Sequence, residues 1–252
     1  MIVVDTRYGF REAARMEWIK LRSLRSTRWA ACGGMAATVA LGVVAGYNTR
    51  SVTGDPTSNV LAGIILGQVI TGVLGVLVMT SEYSSGLVRV TFAALPRRGL
   101  VLAAKAVVFG LVCLVAGEIA VFASFLGGMA ALRSPVPHPS LGDPAVLRAV
   151  LMTGAYLALT GLAGLGIGAI LRHGAAAVGV LVGGLFAAPL IAGAASHAVG
   201  PFMPELIAGN SLAAVKPVDG FSWSPWLELA IVAAYPAALL AAGGWLLVRR
   251  DA

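Results

Sequence analysis

The chain has 252 residues, of which 58% are apolar and only 12% charged, about half the charged fraction of an ordinary soluble domain. Mean hydropathy is +0.89. This composition excludes a soluble globular enzyme and leaves no room for a large soluble domain; it is that of a polytopic membrane protein. The net charge of +7 is therefore read as topology and contact with anionic lipid, and not as nucleic-acid binding.

Residues 1–28 are polar and basic, with Phe10, Ala14, Trp18, Leu21 and Leu24 at three- and four-residue steps. That spacing predicts a basic amphipathic helix lying in the plane of the membrane surface. Glu12 and Glu17 interrupt the basic region, and no small-residue cleavage site follows, so it does not read as a signal peptide. Six apolar runs come next, near 29–48, 59–80, 100–131, 149–171, 175–198 and 226–248. Runs of this length in lipid must be helices, because only helices and closed barrels satisfy the backbone there. The expected fold is all-α and polytopic: an N-terminal interfacial segment (1–28), a six-helix membrane domain (29–248) and a short tail (249–252). Pro189 and Pro236 are expected to kink the fifth and sixth helices.

The basic residues set an orientation. Fourteen of the 18 Lys and Arg lie at the two termini, in the segment between runs two and three, or in the short turn at Arg172. The expectation is that both termini face the cytosol of a bacterial inner membrane. On the other side, loop 133–148 holds four prolines and reads as extended, while 203–215 reads as a re-entrant or interfacial piece buried against protein.

Between runs two and three lies SEYSSGLVRVTFAALPRRGLVLAAKAV, residues 81–107. A helix from Glu82 to Leu95 puts Val88, Thr91, Phe92 and Leu95 on one face, with Glu82, Ser85 and Arg89 on another. Pro96 ends it, and Arg97 and Arg98 follow. A short amphipathic helix between two spans is suited to docking something in the cytosol.

Catalytic signatures are missing. His138, His173 and His197 have no metal-ligand spacing, no paired carboxylates lie in the apolar runs, and Cys32 and Cys113 read as buried core residues. Gly-Lys does not occur, so the chain has no P-loop for ATP. Glu118 lies well inside the third run, where a carboxylate is costly. It reads either as a proton or cation site, or as a hydrogen-bonding partner of Gln68 or Thr160. The spacings Gly42/Gly46, Gly63/Gly67, Gly164/Gly168 and Gly179/Gly183 suggest close helix packing.

With these residues in view, the chain resembles the permease subunits of bacterial type-two ABC exporters along essentially its whole length. EWIKLRSLRSTRW at 17–29 is similar to their interfacial helix. EYSSGLVRVTFAALPRRGLVLAAK at 82–105 is similar to their coupling segment, with the pattern E-Y-x-x-G-x-x-R, then P-x-R, then Lys. VRRDA at 248–252 is similar to their basic C-terminal end. A threonine common after the glycine is Leu87 here, and the position after Pro96 is also Arg.

The resemblance implies a permease that moves a hydrophobic or amphipathic compound (a drug, antibiotic or lipid-like molecule) out of the cytoplasm. It implies a second permease subunit, identical or not, and two ABC ATPase subunits carrying the ATP and Mg, so that this chain holds no cofactor or metal of its own. It assigns ATPase coupling to Glu82, Tyr83, Gly86, Arg89, Phe92, Pro96 and Arg97, and the interfacial helix to Glu17, Trp18, Lys20 and Arg22. In the coupling segment, Glu82 and Arg89 would fix the helix, and Arg97, Arg98 and Lys105 would anchor span three at the lipid head groups. The alternative is an ion-driven transporter working through Glu118, with Gln68 nearby.

Overall fold

The computed structural model describes residues 9–23, 25–50, 55–95, 97–133, 135–195, 202–211, 214 and 223–249. Among them every regular element is a helix, and six are long and apolar enough to cross a membrane. That is compatible with a multi-pass membrane protein. Helix α1 spans Phe10–Ser23 and α2, the first candidate span, Arg25–Asn48. A short α3 (Pro56–Val60) precedes the second span, α4 (Ile64–Ser84). Next come α5 (Leu87–Ala94), the third span α6 (Arg98–Ala131) and the fourth span α7 (Pro144–Leu171). The fifth span is α8 (Gly174–Val182), a π-turn (Gly183–Ala187) and α9 (Ala188–Ala195). It is followed by α10 (Pro204–Ser211) and the sixth span, α11 (Pro225–Arg249).

Helix α7 is the centre of the bundle and packs on α4, α6 and α11, while α2 packs on α6. The α4–α7 contact brings two backbones together: a Cβ added at Gly75 would lie 2.0 Å from the Gly161 carbonyl oxygen, and one at Gly164 would lie 2.0 Å from that of Gly72. No other residue type fits, and van der Waals contact replaces the hydrophobic drive that lipid does not supply. Gly179 and Gly183 behave differently, with nothing within 4 Å of an added Cβ. The fifth span is correspondingly the least buried, 11% against 67% for α7.

Several boundaries differ from expectation. The 133–148 loop gives up its last residues to α7, because Asp143 Oδ1 accepts from Ala145 N and Pro144 supplies the preset first turn. The π-turn ends two residues before Pro189 and contains Leu185, the residue whose carbonyl a regular α-helix would set against the proline ring; the wider turn relieves that clash. Pro236 lies inside α11, which continues on both sides of it, so the proline does not end the helix. Within 203–215, α10 buries Ile207 and Ala208 in the cluster formed by Val60, Phe125 and Val232, so this piece is packed against protein. Cys113 is buried as expected, but Cys32 is exposed, on a face of α2 turned away from the bundle.

Candidate functional site

One end of the bundle gathers α1, the last turn of α4, α5, the first turns of α6 and the C-terminal ends of α7 and α11. Most of the basic residues lie at this basic end. The connection between α4 and α5 is made by Gly86 in the left-handed region, φ +72°. A Cβ there would meet nothing within 4 Å, so backbone conformation and not space calls for glycine. The predicted continuous helix from Glu82 is therefore two elements. Glu82 and Tyr83 belong to the end of α4, and α5 starts at Leu87.

This break aims Glu82 into the protein. Lys105 is reached about 10 Å beyond Arg98 along α6, at 1.5 Å per residue. Its ammonium meets Glu82 Oε1 at 2.7 Å and Glu17 Oε2. Lys20 meets the same Glu82 oxygen at 2.9 Å and Glu17 Oε1 at 2.9 Å. Glu17, Lys20, Glu82 and Lys105 thus close a ring in which each charge has two opposite neighbours. Lys20 also donates to Thr91 Oγ1 at 3.2 Å, which brings α5 into the network. The side chains of Glu17 and Lys105 are only 1% and 3% exposed. Burial works against the Lys20 ammonium. Its hydrogen bonds to Glu82 and Glu17, together with their charges, outweigh that and hold its pKa above the ordinary lysine value.

The expectation that Lys105 anchors at lipid head groups is corrected: it is buried among carboxylates. Arg98 is also occupied inside the protein. Its Nη1 donates to Leu247 O at 2.9 Å, and its guanidinium lies 5.3 Å from the Phe92 ring centroid. Arg172 Nη2 reaches Leu246 O at 3.5 Å and lies 5.3 Å from the Tyr83 ring centroid. Leu246 and Leu247 belong to the last turn of α11, whose carbonyls lack helical partners. The two arginines satisfy them and complement the dipole there.

The remaining site residues divide by exposure. Val88 and Thr91 of α5 and Leu95 just after it are buried and Phe92 is half-buried, as the helical spacing predicts. Arg89 and Arg97 are exposed, and Arg89 makes no polar contact with Glu82. Leu87 and Val90 are also exposed, at 50% and 66%. Pro96 lies outside the described residues. On α1 the face turned to the protein carries Ala13 and Glu17, while Phe10, Trp18 and Arg22 are exposed; Leu24 lies outside the described residues.

Glu118 and Gln68 do not meet in the predicted way. Gln68 Oε1 accepts from Tyr156 Oη at 2.9 Å, and Thr160 donates to the Tyr156 carbonyl at 2.9 Å. Glu118 lies over the bare backbone of Gly154 on α7, and its Oε2 is buried with no hydrogen-bond partner. His173 caps α8, accepting from Ala176 N at 3.4 Å; His138 is exposed and His197 lies outside the described residues. No cluster of metal-ligating side chains occurs among the described residues.

Sequence reasoning missed the ring as a unit. The available signal was Lys105 itself, a lysine inside an apolar run, since a cation there needs a partner. Two carboxylates, Glu17 and Glu82, stood at the same end of the chain's spans. Compared with known proteins, the chain matches no protein-family profile and no curated sequence.

Proposed function

We propose that this chain is the membrane-spanning permease subunit of an ATP-driven ABC exporter, working with a separate ATPase at its basic end. The observation that carries the reading is the way α5 is mounted. Its inner face is seated by Val88, Thr91 and Leu95, and through Thr91 it is tied to the ion-pair ring that joins α1, α4 and α6. Its outer face presents Leu87, Arg89 and Val90. An exposed apolar pair beside a cation, on a helix fixed to three others, is a suitable lever for a partner. A coupling device needs a rigid element that makes different contacts in two states.

In this reading α1 lies along the inner membrane surface with Phe10 and Trp18 toward lipid, and both termini are cytosolic. ATP binding draws two ATPase subunits together. Each carries the α5 of its own permease subunit, and the ring passes that movement to α4 and α6. A path between the two permease subunits then opens outward for a hydrophobic or amphipathic compound. Glu82 serves in this scheme as an internal tie and Arg89 as a contact to the partner.

The test is affinity capture of the tagged chain from its own host in mild detergent. An ATP-binding polypeptide should co-purify in stoichiometric amount and be lost from Val90→Asp, whose substitution sits on the exposed face. Capture of no ATPase by the unaltered chain would reject the proposal.

One observation favours a second reading, an ion-driven transporter: the unpartnered Oε2 of Glu118. It requires transport to persist without any ATPase and to vanish in Glu118→Gln.

A further inference from the structure

Beneath α1 the structure leaves a long apolar groove of about 640 Å³. Arg15 and Trp18 form its rim at the basic end, Met35 of α2 forms one side, and α6 forms the floor from Val108 through Val115 to Ile119. A smaller cavity of about 110 Å³ adjoins it and shares Met35 and Val112. Apart from Thr27 and Arg28, the lining of that cavity is apolar in effect even where the sequence is not. Thr38 Oγ1 donates to Gly34 O and Thr71 Oγ1 to Gly67 O, each at 2.9 Å, so both hydroxyls are spent on their own helices.

We propose that this groove is a specific site for one anionic phospholipid, with the phosphate at Arg15 and one acyl chain along α6. Three features select that occupant. The floor from Val108 to Ile119 is about 16 Å long at 1.5 Å per residue, close to half of a hydrocarbon core of about 30 Å. It therefore matches an acyl chain confined to a single leaflet. Arg15 is exposed and makes no hydrogen bond or ion pair with any described residue, leaving a full positive charge at the mouth. Trp18 stands beside it, where an indole ring favours the head-group level. The neighbouring cations Lys20 and Lys105 are held by Glu17 and Glu82, and of the exposed arginines on this face of α1 (Arg11, Arg15 and Arg22) Arg15 is the one that lines the groove.

A lipid in this position touches α1, α2 and α6 at once. It would fill the wedge between the helix on the membrane surface and the spans it is tied to, and so set the angle of α1. The inference rests on the membrane placement of the six spans and needs neither the ATPase nor a direction of transport.

Native mass spectrometry of the purified full chain tests it, titrating phosphatidylglycerol and phosphatidylcholine with identical chains. The expected result is a single phosphatidylglycerol bound in preference to phosphatidylcholine. Arg15→Gln should cut phosphatidylglycerol affinity about five-fold, the effect of one basic residue at an anionic surface, and leave phosphatidylcholine unchanged. Val115→Trp fills the groove from a position 60% exposed in the fold and should weaken both lipids. Both substitutions lie at exposed positions, and unchanged melting temperatures will show that the fold is kept. Equal binding of the two lipids, or several equivalent adducts indifferent to both substitutions, would overturn the site. Loss of ATPase capture with the lipid result intact would refute only the exporter reading.

Discussion

Replacing Lys105 with Met removes one corner of the ion-pair ring without changing side-chain length greatly. Two contacts are lost, those to Glu17 and to Glu82 Oε1 at 2.7 Å. Glu17 is 1% exposed and Glu82 11%, while a pocket of about 400 Å³ borders the ring and gives water partial access to it. Breaking a buried ion pair costs about 3–5 kcal/mol, chiefly because a charge is left uncompensated. Lys20 still reaches both carboxylates, which places Lys105→Met at the low end, about 3 kcal/mol. For a chain of this size that corresponds to a fall in melting temperature of roughly 6–12 °C. The double variant Glu17→Gln/Lys105→Met restores neutrality, leaving Lys20 with Glu82. It should melt higher than Lys105→Met alone, with a coupling of about 1–3 kcal/mol. The assay is thermal unfolding of purified protein followed by its 5 tryptophans. A shift under about 2 °C for Lys105→Met, or simple additivity in the double variant, would refute the ring as a cooperative unit.

The ring and the α4–α7 contact each give a further outcome. The Lys20 pKa is raised on folding, so its contribution is complete below the unfolded lysine value of about 10.4 and fades only as pH rises through the higher folded value. The melting difference between the native chain and Lys20→Met should stay level from about pH 7 to pH 10 and shrink above that; a decline already by pH 9 would contradict it. Gly75→Val places side-chain atoms onto the Gly161 carbonyl and should abolish recovery of monodisperse protein, whereas Gly179→Ala, with open space around its Cβ, should not. Equal behaviour of the two variants in size-exclusion chromatography would contradict the α4–α7 packing.

The six spans were legible because each is a long apolar run, and hydropathy with length carries that information without tertiary contacts. Ends were less visible. The Asp143–Pro144 start of α7 was readable in principle as a cap followed by a first-turn proline, but the surrounding prolines suggested an extended loop. The break at Gly86 was hidden because the apolar spacing of Val88, Thr91, Phe92 and Leu95 is the same whether the helix starts at Glu82 or Leu87. The ring could not be read as a set. Glu17, Lys20, Glu82 and Lys105 come from three separate helices, and only their packing brings the charges within hydrogen-bonding distance. Sequence position put Lys105 at the membrane surface; depth along α6 and two waiting carboxylates put it inside. Gln68 and Glu118 were paired by their shared polarity, yet Tyr156 occupies Gln68.

In the proposed exporter, a separate ATPase docks on the exposed face of α5. A photo-reactive amino acid placed at Val90 in the intact host membrane tests it directly, with Val107 on the exposed apolar face of α6 as the comparison position. A light-dependent adduct is expected between position 90 and an ATP-binding polypeptide, and none from position 107. An adduct of that polypeptide from neither position, with the protein fully inserted and abundant, would contradict it.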